Sequence, residues 1–313
     1  MKKINLGIIG LGKIAEKHLD VIDKIKSFKI YSINSKTNKN SNYFKKKYKV
    51  KKIFKSYTEM IDDEYIDAIL VLLPADQSYK IIEKLIIRKK IFFTEKPISL
   101  NYKKAKHLYN LSKKNKSINM VGHNRRFYSI FHKGIALIKK HGALNGVFIE
   151  GHERIWKLKD KLSKTFLNNW LYLNSTHTID LLRFFGGEYS KIYTLSNIKK
   201  NKKEFSLIYK SQKNILCTYI SNWNSPGGWS IKLLGNNITV VFEPLESGYW
   251  VNNKFKIFKI HPSKNDLKFK PGFYNQMLSF KKMVITKKIE WPAEGIEESF
   301  RTTQIIKKLK ENV

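Results

Sequence analysis

Cysteine is almost missing from this sequence: Cys217 is the single one in 313 residues. One thiol closes no internal disulfide, and a cysteine-rich metal centre is excluded; no metal site of any kind is expected. Arginine is scarce too. Of 61 basic residues only six are Arg, and the lysines are spread over the whole chain among many Asn. The formal net charge is +36. Nucleic-acid readers concentrate such charge on one face and use Arg for bidentate contacts. A dispersed lysine coat instead predicts a solvated surface and no specific nucleic-acid partner. Its positive field favours an anionic substrate or a phosphate-bearing cofactor. Long apolar runs are also lacking. The longest, such as Ala68–Ala75, have the length of a buried strand, far from the roughly 18–20 residues of a membrane span. No membrane partner is expected. The start, MKKINLGIIGLGK, is basic and then apolar, but it has no small-residue cleavage site and runs into a glycine pattern. A cytoplasmic protein is the expectation.

What remains is a chain long enough for two domains, since domains usually run about 100–200 residues. Its first 120 residues alternate between strand and helix signals. INLGIIG, FKIYSI, AILVLL, KIFFT and SINMVG read as strands, with helical stripes at Lys13–Lys26, Gln77–Arg88 and Asn101–Asn115 and a short helix at Tyr43–Tyr48. This spacing argues for βαβ units and a doubly wound parallel sheet. After residue 122 the pattern changes. Helices are expected at Ser129–Lys140 and Asn174–Phe185, with a strand at Val147–Arg154 between them. KIYTLSNI, EFSLIYK, ILCTYISNW, WSIKLLG, ITVVFE, GYWV and KFKIFKI follow as strands joined by short turns, which means an antiparallel sheet. Helices at 273–286 and 294–310 close the chain, and the Lys/Asn-rich stretches 36–52 and 198–203 read as loops or short exposed segments. The expected domains are 1–121 and 122–313.

Gly10-Leu11-Gly12-Lys13-Ile14-Ala15 is a GxGxxA loop between the first strand and the first helix. Gly10 permits the tight turn, Gly12 lets the backbone approach a pyrophosphate, and Ala15 lets helix and strand pack closely. The phosphates would rest on the helix N-terminus, beside Lys13 and Ile14. The second strand ends in Asn34-Ser35-Lys36-Thr37. A carboxylate there would accept the ribose hydroxyls and repel a 2′-phosphate. Ser35 and Lys36 do the opposite and lean toward NADP, with NAD left open.

Strand four ends in Leu73-Pro74 and strand five in Thr94-Glu95-Lys96-Pro97. In an open α/β sheet ligands lie beyond the carboxyl ends of the strands. A lysine at that edge can exchange a proton with an alcohol oxygen, its pKa tuned by burial and neighbouring charge. Glu95 can bind a ribose hydroxyl or orient the lysine. Alone, Glu95-Lys96-Pro97 reads as a strand-end ion pair in a turn. In NSTHTIDLLRFFGG, His177 and Asp180 are three residues apart and share a helix face. A His beside a carboxylate suits proton transfer near neutral pH, although a satisfied core histidine would give the same pattern.

Together GLGKIAEKH, FFTEKPIS, VGHNRRF and NSTHTIDLLRFFGG resemble the Gfo/Idh/MocA family, that of glucose–fructose oxidoreductase and inositol dehydrogenase, over nearly the whole chain. NWNSPGGW (222–229) and KPGFYNQM (270–277) look like relatives acting on sugars of bacterial surface polysaccharides. The resemblance implies an α/β protein: an N-terminal Rossmann dinucleotide-binding domain and a C-terminal α/β domain with a large open, mainly antiparallel sheet. That sheet commonly carries the substrate and an oligomer interface, which implies a homo-oligomer. It implies NAD(P) as cofactor and hydride transfer between nicotinamide and a sugar or nucleotide-sugar carbon. On this pattern Lys96 is the catalytic lysine, His177 the partner acid/base, and Glu95 holds the nicotinamide ribose. Arg125 or Arg126 would meet cofactor or substrate, and Asn174 and Asp180 lie on the substrate side. Trp156, Trp170, Trp223 and Trp229 offer sugar-stacking surfaces or core packing.

The chain departs from the usual family form in three places. The Asp four residues before the His is Leu173, the Asn after the strand-four proline is Ala75, and the His four residues after that proline is Ser78. A relay through that Asp is lost, so Lys96 and His177 would carry the proton alone or with Asp180 behind them. A non-catalytic cofactor-binding regulator of the same fold is the competing expectation.

Overall fold

The computed structural model describes residues 3–158, 162–199 and 202–311. The chain begins with β1 (Ile4–Ile9), α1 (Lys13–Ile22), β2 (Phe28–Asn34), α2 (Asn38–Tyr48), β3 (Lys52–Phe54) and α3 (Tyr57–Asp62). It continues with β4 (Ala68–Val71), α4 (Ala75–Ile87), β5 (Phe92–Thr94), α5 (Tyr102–Asn115) and β6 (Asn119–Val121). Among the described residues these strands form one parallel sheet in the order β3-β2-β1-β4-β5-β6. The order reverses direction between β1 and β4, which opens a crevice at their carboxyl ends. The strands read as unbroken apolar runs because helices cover both faces: every residue of β4 and β5 is buried.

α2 forms inside the Lys/Asn-rich stretch that the sequence marks as exposed. Ser41, Phe44 and Tyr48 fall on one face and are buried, so a helix survives on three anchors despite its polar composition.

The chain then runs through α6 (Ser129–Lys140), β7 (Leu144–Gly151), α7 (Lys164–Asn168) and a π-helical turn at Leu171–Ser175 into α8 (Thr176–Gly186). After these come β8 (Tyr189–Lys199), β9 (Lys202–Ser211), β10 (Leu216–Asn222), β11 (Trp229–Gly235), β12 (Ile238–Phe242), β13 (Gly248–Asn252) and β14 (Ile257–Ile260). The expected loop at 198–203 narrows to the ends of β8 and β9, and its residues 200–201 lie outside the described residues. The sheet order is β14-β13-β12-β11-β7-β10-β9-β8. All neighbours pair antiparallel except β7 and β10, which pair parallel. α8 lies along β7 and β10 and is buried at every residue. Gly186 makes this possible, since a Cβ there would meet the Cys217 Sγ at 2.1 Å. Cys217 is buried in β10, and burial pushes its thiol up to about 11.

The chain closes with α9 (Lys264–Lys268), α10 (Phe273–Thr286) and α11 (Ile296–Glu311). Two compact units result: residues 1–124 with 268–301, and residues 125–267 with 302–313. The division therefore differs from the expected single boundary at 121/122. The reason is apolar: Phe280 packs against Phe28 and Phe93, and Phe300 against Tyr102 and Tyr109, so the end of the chain completes the core of the first unit. No helix among the described residues is long and apolar enough to cross a membrane.

Candidate functional site

In the first unit a cavity of about 880 Å³ opens at the carboxyl ends of β1, β2 and β4. Gly10, Gly12, Asn34, Ser35, Lys36, Leu73 and Pro74 all line it, whereas Lys13 and Ile14 sit behind the lining in the first turn of α1. Gly10 has φ +95°, and a Cβ there would come within 2.7–2.8 Å of the Leu73 side chain and the Leu72 carbonyl. Only glycine fits that turn. Gly12 is the opposite case. A Cβ there would meet nothing within 4 Å, and as the N-cap of α1 it leaves the first turn without a side-chain cap. The backbone has been left bare beside open space. That is the arrangement a pyrophosphate needs, with unsatisfied N–H groups and the positive end of the helix dipole.

The rim of this cavity is cationic. Lys36, Lys55, Lys80 and Lys104 line it, against the single carboxylate of Asp76. Asn34 is occupied structurally. Its Nδ2 donates to the carbonyls of Phe54 and Lys55 at 3.0 and 3.2 Å, and its carbonyl accepts the Gly10 N–H at 3.0 Å. Lys55, Lys80 and Lys104 were not singled out from the sequence, because one lysine looks like another in a chain this rich in them.

The β5 edge presents Glu95 and Lys96, with a cis peptide bond between Lys96 and Pro97. Neither lines the cavity beyond β1, β2 and β4. The Glu95 carboxylate meets His18 Nε2 at 2.7 Å, with His18 fully buried and the Glu95 side chain 14% exposed. The His18 ring stacks on Phe273 and meets Phe93 edge-on. Burial is the largest influence on the Glu95 carboxyl and raises its pKa. The His18 hydrogen bond and charge, then Lys96 and Lys270, more than reverse this and leave it below the ordinary value. Lys96 therefore has an ionised carboxylate for a neighbour. His18 is absent from the sequence-derived site, yet a signal for it exists. Ala15, His18, Leu19 and Ile22 make one buried stripe, so a histidine stands where the 3.6-residue period calls for an apolar side chain. In the same unit the His123 ring pairs with Glu294, both buried.

In the second unit His177 sits in the first turn of α8, buried, with its ring 6.2 Å from that of Trp229. Asp180 holds a fork–fork pair with Arg126: Nε–Oδ2 2.7 Å and Nη2–Oδ1 2.6 Å. Arg183 and the Thr302 hydroxyl also reach Asp180. This network ties α8 to the segment before α6 and to α11.

A cavity of about 430 Å³ lies nearby, lined by Arg125, Glu153, Trp170, Asn174, Trp229 and Glu246, among others. Glu153 follows β7 and is buried. Its Oε1 accepts from the Ser175 hydroxyl at 2.8 Å and its Oε2 from Asn174 Nδ2 at 2.9 Å. Burial raises its pKa above the ordinary value despite those hydrogen bonds and the pull of Arg125. Arg125 lays its guanidinium over Trp229, 4.6 Å from the ring centroid. Burial lowers its pKa, only partly offset by Tyr128, Glu246 and Glu153. Trp223 is a core residue at 2% exposure, and Trp156 lies outside the cavity lining. Of the residues singled out from the sequence, Arg125, Trp170, Asn174 and Trp229 line this cavity; Glu153 and Glu246 line it too and were not among them. Lys96 belongs to the first unit and His177 to the second.

Comparison with known proteins shows what this chain is similar to. Residues 4–123 match the Gfo/Idh/MocA model, described as oxidoreductase family, NAD-binding Rossmann fold. The chain is similar to myo-inositol 2-dehydrogenase of Thermotoga maritima, 28% identical over 190 residues. That match covers 59% of this chain and 55% of the relative, so the chain spans about half the length of the curated relatives it matches. Among solved structures it resembles levoglucosan dehydrogenase in complex with NADH and L-sorbose (TM-score 0.84, 15% identity, 100% of this chain and 97% of the other). It also resembles a Gfo/Idh/MocA family oxidoreductase from Vibrio cholerae (TM-score 0.80, 16% identity, 99% of each chain). Residues 4–123 are thus similar to the NAD-binding Rossmann fold of Gfo/Idh/MocA oxidoreductases, and the whole chain shares the fold of these solved structures.

Proposed function

We propose that this chain is an NAD(P)-dependent dehydrogenase or reductase acting on a hydroxyl-bearing carbon of a sugar or nucleotide sugar. The observation that carries this is the bare Gly12 cradle at the uncapped start of α1, on the sheet whose next edge presents Glu95 and Lys96. Gly10, Gly12 and the first turn of α1 would hold the pyrophosphate. When bound, the nicotinamide supplies or accepts the hydride. The chain supplies the rest. Lys96 takes the proton of the reacting hydroxyl or returns it to the alkoxide, with His177 as the partner acid/base. Glu95, held ionised with the help of His18, is placed to accept a ribose hydroxyl. Asp180 is engaged by Arg126, so its part is to fix α8 and with it His177.

Ser35 and Lys36, joined by Lys55, Lys80 and Lys104, favour NADP over NAD. The likeness to levoglucosan dehydrogenase supports a sugar substrate, and NWNSPGGW and KPGFYNQM support a place in the synthesis of surface-polysaccharide sugars. The partner is a second copy of this chain: Tyr193, Leu195, Ile208 and Ile220 stand exposed on the strands of the second sheet. A cytoplasmic location fits the single buried thiol. One observation favours a non-catalytic regulator instead, namely Leu173 where the family's usual aspartate stands. Titration with NADH and NADPH, followed by a screen of free and nucleotide-linked sugars at the nicotinamide absorbance band, separates the readings. Binding without turnover of any sugar selects the regulator, and no binding of either cofactor overturns both.

A further inference from the structure

We infer that the cavity around Arg125 is a subsite for the carboxylate of an acidic monosaccharide, so that the substrate is a sugar acid. This rests on the dehydrogenase reading and names its substrate class. The first reason is a half-buried guanidinium that forms no ion pair with the carboxylates near it. The buried arginines of the second unit are paired: Arg126 with Asp180, and Arg183 with Glu188 at 2.5 Å. Arg125 Nε is buried and has no hydrogen-bond partner. Removing a guanidinium from water without an anion is costly. Such a site is completed by a ligand that brings the anion.

The second reason is that the nearby acids are already committed. Glu153 uses both oxygens on Ser175 and Asn174. Glu246 accepts from the Tyr128 hydroxyl at 3.1 Å. Neither forms an ion pair with Arg125. Burial also raises the Glu153 carboxyl toward its neutral form, which lessens its repulsion of an incoming carboxylate. Arg154, Lys157 and His152 complete the polar wall, so cationic side chains outnumber the two acids.

The third reason is shape. About 430 Å³ suits one sugar ring, at the lower end of ligand cavities, which run roughly 300–1,000 Å³. The guanidinium lies over the Trp229 ring, and a planar fork matches a carboxylate through two parallel N–H donors. Phosphate shares the oxyanion chemistry, so the experiment must tell the two apart.

Calorimetric titration of the full chain with D-glucuronate, D-galacturonate and D-mannuronate, against D-glucose, D-galactose and D-mannose, is the test. Glucose 1-phosphate forms a third arm. At least one hexuronate should bind about tenfold or more tighter than its neutral counterpart. Arg125→Met should remove that preference and Arg125→Lys should restore part of it. Equal or tighter binding of the neutral sugars to the unaltered chain overturns the inference, and that comparison needs no variant to fold. Glucose 1-phosphate binding where no hexuronate binds overturns the carboxylate assignment, as does hexuronate binding unchanged in Arg125→Met. NADH and NADPH titrations run alongside: failure of both overturns the dehydrogenase reading, while the sugar isotherms still decide the subsite.

Discussion

His18 Nε2 lies 2.7 Å from Glu95 Oε1, joining the first helix to the end of the fifth strand through a largely buried pair. The two residues are 77 apart in the chain. This contact explains how a buried strand can end in a carboxylate beside an amine: His18 from one side and Lys96 and Lys270 by their charge hold the Glu95 pKa down against the upward push of burial.

His18→Ala should therefore cost stability and change its pH dependence. The Glu95 pKa is lowered in the folded protein, so this group adds stability above its ordinary value of 4.5 and loses it as pH falls through the folded value. Without His18 the largest opposition to burial is gone, so the carboxyl pKa rises. We expect a loss of about 3 kcal/mol near neutral pH, typical of removing one partner of a buried pair, shrinking toward acid pH. Urea unfolding from about pH 3 to pH 8 measures it. Parallel stability curves for the two proteins would show that the pair contributes nothing through charge.

The two glycines of the loop should fail in different ways. Gly10→Ala puts a Cβ against Leu73 and the Leu72 carbonyl at positive φ, a strain of about 1–3 kcal/mol that lowers Tm. Gly12→Val meets no protein atom at Cβ and should cost under about 1 kcal/mol, the scale of an N-cap change. It should still weaken NADPH or NADH binding tenfold or more, because the branched side chain occupies the cradle. Fluorescence titration with matched thermal melts distinguishes the two. Tight cofactor binding by a folded Gly12→Val protein would remove the cradle from the site.

Glu153→Gln tests the buried acid of the second unit. Its folded pKa is raised, so the stability associated with its neutral form is fully present below 4.5 and is lost as pH rises through the folded value. Glutamine has no charge to desolvate, but it cannot accept from both Ser175 and Asn174, a loss of about 1 kcal/mol. The variant should be less stable than the parent at about pH 4 and should gain on it steadily toward pH 8. A stability difference independent of pH would mean that Glu153 is ionised in the fold with no penalty.

Much of this was readable before any coordinates. The strand–helix alternation, the GxGxxA loop and the antiparallel second half rest on local periodicity, and the structure reproduces them. Contacts between distant segments were not readable. Arg125 and Arg126 are identical neighbours in the chain, yet Arg126 forks onto Asp180 and Arg125 lies on Trp229. Only the turn of a short 3₁₀ helix at Asn124–Phe127 separates their directions. Glu153 carries no motif. It becomes conspicuous once a π-helical turn brings Asn174 and Ser175 over it. The unit boundary hid for the same reason, since the aromatic anchors Phe280 and Phe300 pair with rings more than a hundred residues away.

Lys96→Ala is the direct test of the chemistry. Lys96 stands at the carboxyl edge of β5 beside an ionised Glu95, and the lining of the glycine-loop cavity does not include it. Its removal should leave cofactor affinity within a few-fold of the parent. Turnover of whichever sugar the screen identifies should fall by about 10²–10⁴, the usual contribution of a positioned acid/base. Lys96→Arg keeps the charge but not a titratable amine, and it should recover substrate binding without recovering rate. Raising pH should partly restore Lys96→Ala if the lost step is proton removal, because hydroxide can take the proton instead. Steady-state kinetics across pH, read with a separate cofactor titration, yields all three outcomes. Equal turnover in Lys96→Ala would leave the proton chemistry to His177 and the second unit.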